Sequence, residues 1–129
     1  MRLTCIYVFI LFLVGLAATL PGCDGAGAAP SVSSSTTEAT VVGTITIKGK
    51  PATKGEVSFD PSNSSRREAG ARTAQIGAGG SYKVTTLVGG NVVRVTTPET
   101  TKDPVLQFNE TTLDVQSGEN KLDIVLPQP

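Results

Sequence analysis

Histidine and tryptophan are both absent from this sequence. Without imidazole there is no histidine general base, no histidine-activated serine or cysteine, and no histidine metal ligand, which removes many enzyme classes at once. Cysteine is nearly absent: Cys5 lies in an apolar N-terminal run and Cys23 just beyond it. If that run is removed, the mature chain holds a single thiol and no disulfide can form. A surplus of one charge sign is also lacking, with eleven basic against eleven acidic side chains. Bulk charge therefore does not suit nucleic acid, and none is expected as a partner.

What is present begins with Cys5–Leu20, sixteen residues without a charge behind Met1-Arg2. A short basic start followed by such a run is the layout of a signal peptide. The run is slightly short of the roughly 20 apolar residues that span a bilayer. It ends in Leu20-Pro21-Gly22-Cys23, which resembles the lipobox where bacteria attach a diacylglycerol to cysteine sulfur and cleave before it. That chemistry needs a thiol nucleophile and small residues ahead of it, although Pro21 departs from the usual residue at its position. Cleavage after Ala28, behind a small-x-small pattern, is the second reading, and an uncleaved anchor the third. A lone thiol in an exported chain invites intermolecular pairing, so modification of Cys23 is the preferred reading. The expected organisation is a signal peptide over 1–22, a lipidated Cys23 with a flexible Gly/Ala/Ser/Thr tether to Thr40, and a domain over 41–129.

From Val41 the apolar pattern acquires period two. The alternation turns Val41, Ile45 and Ile47 to one face, then Val57 and Phe59, Ala74 and Ile76, Tyr82 and Val84, and Val93 and Val95. Leu113 and Val115 follow, then Leu122, Ile124 and Leu126. Turn residues separate these runs, as in "GKPATKG", "AGG", "LVGG" and "SGEN". Seven short strands in an antiparallel transthyretin-like or immunoglobulin-like β-sandwich are expected, with "PETTKDPVLQFNE" an irregular passage. Phe59, Tyr82 and Phe108 are expected to supply the aromatic bulk of a modest core.

The stretch "VVGTITIKGKPATKGEVSFDP" resembles the opening of carboxypeptidase regulatory-like, or transthyretin-like, domains. The matching positions are Val41 and Gly43, Gly49 and Pro51, and Gly55, Val57 and Phe59. Gly80, Tyr82 and Val84 are similar to the family's Gly-x-Tyr-x-Val, "GGNVVRVTT" to its next turn and strand, and "TTLDVQSGENKLDIVL" to the end of small bacterial lipoproteins of this group. The resemblance spans Val41 to Leu126. It implies a fold and no catalytic machinery, since these domains accompany peptidases and many other proteins, and its motifs are turn glycines and core positions.

Candidate sites are few. Ser81 and Lys83 share a strand face by simple alternation, which is weak support for a Ser–Lys pair. "DPSN" (Asp60–Asn63) and "KDP" (Lys102–Pro104) place oxygen atoms in loops where calcium would need them, or merely form turns. Arg66, Arg67 and Arg72 in one polar loop are candidate anion clamps. Lys48 and Asn120 stand where an isopeptide pair can be imagined. Asn63-Ser64-Ser65 and Asn109-Glu110-Thr111 fit the glycosylation sequon, which matters only in a eukaryotic chain. Val41–Thr97 carries a net +5 and Pro98–Pro129 a net −4, so strands from the two halves are expected to pair their charges. The sequence thus reads as an envelope lipoprotein on the extracytoplasmic side, held to a membrane through the lipid on Cys23. It uses no cofactor or metal and displays a non-enzymatic sandwich that binds an envelope protein or polysaccharide or serves a structural role. A secreted soluble module and a subunit of an envelope hydrolase are the alternatives.

Overall fold

The computed structural model describes residues 32–128. Among the described residues nine strands form two sheets: β1 (Glu38–Ile47), β2 (Lys50–Pro51), β3 (Glu56–Asp60), β4 (Arg72–Gln75), β5 (Ser81–Leu87), β6 (Gly89–Thr96), β7 (Glu110–Val115), β8 (Glu119–Lys121) and β9 (Ile124–Leu126). One sheet holds β2, β1 and β5, with β8 and β9 also paired to β1; the other runs β4-β3-β6-β7. The alternation expected of the strands is realised. Thirteen of the sixteen residues assigned inward are buried, and Ala74, Leu113 and Leu122 pack half-buried against them. Phe59 and Tyr82 meet near the middle of this core with ring centroids 6.0 Å apart, a tilted geometry that aromatic pairs favour.

Seven antiparallel strands were expected, and both the count and the uniform direction need correction. Lys50–Pro51, inside the segment read as a turn, pairs with Thr46 and Ile47 as a two-residue strand. The last run, "KLDIVL", divides into β8 and β9, and both lie parallel to β1. The division has a local cause at Leu122 and Asp123. The Leu122 carbonyl turns inward and accepts from the Tyr82 hydroxyl at 2.7 Å. Asp123 Oδ1 accepts from both the backbone N–H and the hydroxyl of Thr44 at 2.9 Å, standing in for the missing ladder bond. A Cβ on Gly43 would sit 1.8 Å from the Leu122 carbonyl oxygen, so only glycine fits there. The parallel direction follows from the "SGEN" turn, which carries the chain from β7 in one sheet to β8 in the other instead of closing a hairpin. Asn120 clasps that turn, accepting from the Gln116 N–H and donating to its carbonyl, both at 2.8 Å.

β1 opens at Glu38, within the segment read as tether, and residues 33–37 already hydrogen-bond to the domain. The Val88 N–H donates to the Thr37 carbonyl at 2.9 Å, and the Ser33 hydroxyl to the Val88 carbonyl at 3.2 Å. The chain therefore joins the sandwich at the pole formed by Val32–Thr37, the Pro61–Ala71 loop, the Leu87–Gly89 turn and the Gln116–Gly118 turn. β6 then crosses about 25 Å to the opposite pole, as eight extended residues do.

At that opposite pole the irregular passage forms two short helices, α1 (Pro98–Lys102) and α2 (Pro104–Gln107). Both starts are encoded locally. Thr97 and Thr100 make a reciprocal capping box ahead of α1, Asp103 caps α2, and each helix has a proline in its first turn, where its missing N–H is not needed.

Candidate functional site

Most of the residues singled out from sequence are occupied in holding the fold. Arg66 is 9% exposed, and its guanidinium is ringed by carbonyls. Nε donates to Pro61, Nη1 to Ser35 at 2.9 Å and Val88 at 2.7 Å, and Nη2 to Gly90 at 3.2 Å. Arg66 is thus a clamp between the chain's incoming segment, its own loop and the β5–β6 turn, which leaves it unfit for an incoming anion. Arg67 and Arg72 are exposed and stand apart from that ring.

The loop oxygens considered for calcium are spent on turns. Asp60 Oδ1 accepts from the Ser62 N–H at 2.9 Å, and hydrogen bonding from the Ser62 side chain and then its backbone, with Arg94 adding a smaller effect, holds the Asp60 carboxyl below the ordinary value. Asn63 Oδ1 accepts from the N–H groups of Ser65 and Arg66. Asp103 caps α2 and pairs with Lys48, which holds its pKa down. Lys48 is thereby committed to Asp103 and Asn120 to its own turn, so the imagined isopeptide pair is not assembled. Ser81 donates to the Ala78 carbonyl, while Lys83 lies exposed on the same face. Both sequon asparagines are engaged: Asn63 Nδ2 donates to the Ser33 carbonyl, and buried Asn109 donates to the carbonyls of Val95 and Leu106. Among the described residues no group of three or more acidic or thiol side chains is placed to hold a metal ion. Cys23, the lipobox and the Ala28 cleavage position lie outside the described residues.

The charge asymmetry resolves into ion pairs between the halves. Lys48 meets Asp103 at 2.5 Å, and Arg94 meets Glu110 at 2.6 Å across β6 and β7. Such exposed pairs contribute only about 0–1 kcal/mol each, so they orient the surface more than they stabilise it.

Open clefts gather at the pole opposite the incoming chain. One is about 420 Å³, lined by Gly55, Glu56, Gln75, Thr97, Thr101 and Lys102 among others. A second, about 400 Å³, runs from Ile47 along Lys50 to Thr53 and is closed on one side by Glu99. Hydrogen bonding from Thr97 is the main reason that the Glu99 carboxyl titrates below its usual value, with Lys54 and Lys102 adding to it. A third, about 340 Å³, lies where α2 leads into β7 and is lined by Arg94, Gln107, Phe108 and Glu110.

Phe108 is the residue that sequence reasoning misplaced. It was expected inside the sandwich, yet it is 88% exposed, and Leu106 at 1% takes the interior position. The proline-marked helix starts at Thr97 and Asp103 were the available signal: the helical turn over 104–107 carries Leu106 inward and leaves Phe108, just past its end, outside.

The chain matches no protein-family model and no curated protein sequence. Among solved structures it is similar to a DUF3823 family protein from Parabacteroides merdae, with a TM-score of 0.52 and 13% identity over 68% of this chain and 45% of that one. The chain thus spans less than half the length of that protein. A looser likeness, TM-score 0.40 at 20% identity over 77% of this chain and 84% of the other, is to the dioxygenase domain of a dioxygenase carbohydrate-binding protein fusion from the cellulolytic bacterium Streptomyces sp. SirexAA-E. The first establishes a shared β-sandwich fold, and the second lies below the level at which a common fold can be argued.

Proposed function

We propose that the chain is an envelope lipoprotein whose lipid on Cys23 holds a non-enzymatic, transthyretin-like sandwich at a membrane, where it binds a partner through the pole opposite the incoming chain. The observation that carries this reading is Leu20-Pro21-Gly22-Cys23 directly behind an apolar run, in a chain with no other cysteine beyond that run.

The sandwich supports it in two ways. Two glycines of the carboxypeptidase regulatory-like resemblance stand where only glycine sits easily: Gly49 and Gly80 both have φ of 78°, and a Cβ on Gly80 would press to 2.4 Å from the Ile45 carbonyl oxygen. The chain also joins the domain at one pole while the open clefts gather at the other. From Cys23 to Val32 the chain can reach at most about 30 Å when fully extended. A lipid on Cys23 would therefore hold the domain within that reach of a bilayer. Two or more acyl chains give the stable anchoring that one chain does not.

The direct test is growth on labelled palmitate of cells carrying the wild-type gene or Cys23→Ser. Label in the wild-type protein and none in the variant supports the anchor. An unlabelled wild-type protein, or equal label in both, overturns it.

A further inference from the structure

Phe108 is pinned in water by its neighbours. Leu106, two residues before it, is fully sunk in the core. Asn109, directly after it, is buried and bonded three ways: Oδ1 accepts from the Val95 N–H at 2.7 Å, and Nδ2 donates to the carbonyls of Val95 and Leu106 at 3.0 and 2.6 Å. With both sides of the turn fixed, the Phe108 backbone is held where its ring stands in solvent. Val105, three residues earlier, is also exposed, at 73%. Arg94, Gln107 and Glu110 border Phe108, and Arg94 and Glu110 are direct cross-strand partners joined by an ion pair.

We propose that this cleft is a saccharide-binding subsite, in which a neutral pyranose ring stacks its C–H face on Phe108 and hydrogen-bonds through its hydroxyls to Gln107, Arg94 and Glu110. This rests on the binding role proposed above and names its ligand class. Three features select a neutral sugar. The exposed ring offers a flat apolar face of the size of one sugar ring. The rim offers donors and acceptors together, which hydroxyls answer in both senses as water does. Arg94 and Glu110 neutralise one another, so neither a phosphate nor a cationic ligand gains a free counter-charge. The cleft volume of about 340 Å³ also sits at the small end of small-ligand sites, roughly 300–1,000 Å³. A protein partner seated here would instead need about 800 Å² on each side and would have to strip water from that ion pair.

The test uses the full chain in detergent micelles on immobilised cellulose, xylan, mannan, chitin and starch, followed by calorimetric titration with soluble oligomers of whichever polymer retains it. Retention by at least one polymer is expected, with affinity lowered about ten-fold or more by Phe108→Ala and held within about three-fold by Phe108→Trp. Since the ring is exposed, the melting temperature should be unchanged in both variants, which separates binding loss from unfolding. Retention by none of the five polymers, or equal affinity in Phe108→Ala, overturns the proposal. A protein drawn from solubilised envelope by the wild-type chain and lost with Phe108→Ala overturns the saccharide while leaving the binding role intact. If neither polymer nor protein is retained, both fall.

Discussion

The hydroxyl of Tyr82 donates to the carbonyl of Leu122 at 2.7 Å, across the space that Gly43 leaves by having no side chain. This one bond satisfies the carbonyl exposed where the last run divides into β8 and β9, and it ties β5 to the far edge of the same sheet through β1. Tyr82→Phe should destabilise the domain by about 1 kcal/mol, because it leaves a partly buried acceptor unpaired. Gly43→Ala should destabilise it more, and the two substitutions should not add, since both act on the Leu122 carbonyl. Urea unfolding of the two single variants and the double variant measures the coupling.

Tyr82 also makes stability depend on alkaline pH. Burial, with Asp123 adding to it, pushes the phenol well above its ordinary value of 10.0. The folded state thus holds its proton more tightly than the unfolded state does. The associated stability is complete below 10.0 and is lost as pH rises from there through the raised value. The urea midpoint should fall with rising alkaline pH, and fall less steeply in Tyr82→Phe. Ultraviolet phenolate absorbance should show Tyr82 ionising only as the domain unfolds.

The opposite limb belongs to carboxylates. Lys48 holds Asp103 low, Lys121 and Thr44 hold Asp123 low, and Ser62 holds Asp60 low. Their contribution is present above the ordinary 3.8 and lost as pH falls below it toward the lowered values. Asp103→Asn with Asp123→Asn should flatten the fall of the urea midpoint with acid. Added salt should do the same in the wild type, because Asp103 and Asp123 are exposed to screening. An equally steep fall in the double variant would contradict this assignment.

Arg66 was legible as a charge and illegible as a clamp. Three arginines within seven residues look alike in sequence, and only the return of the incoming segment beside the β5–β6 turn brings the carbonyls of Ser35, Val88 and Gly90 around one of them. Arg66→Lys should therefore lose about 2–4 kcal/mol, nearly as much as Arg66→Ala, because one ammonium cannot serve four acceptors. Residues 32–37 should at the same time become sensitive to protease, while Arg67→Ala should do neither. Thermal melts and limited proteolysis distinguish the three variants.

The strands were readable because period-two alternation is local and each strand buries one face. Val41, Ile45, Val57, Phe59, Val93 and Val95 all lie where that period sends them. What the period could not show was partnership. β1 pairs in parallel with β8 and β9 because the Gln116–Gly118 turn crosses between sheets, a choice set by the whole topology. The candidate site was less legible still: Phe108 reads as core until the helical turn over Pro104–Gln107 is counted.

That turn gives a sharp contrast between neighbours. Leu106→Ala should cost about 2–5 kcal/mol by opening a cavity, whereas Phe108→Ser should stay within about 0.5 kcal/mol of wild type. Chemical denaturation of the pair checks it. A large loss in Phe108→Ser would mean that the ring packs inside the domain after all.

The measurement that bears most directly on the central claim is the intact mass of the protein extracted from its native membrane, beside Cys23→Ser. The account predicts a chain that begins at Cys23 and carries a diacylglycerol, and a variant that lacks it. A lipid-free chain beginning at Ala29, or one that retains Met1, would contradict the lipid on Cys23.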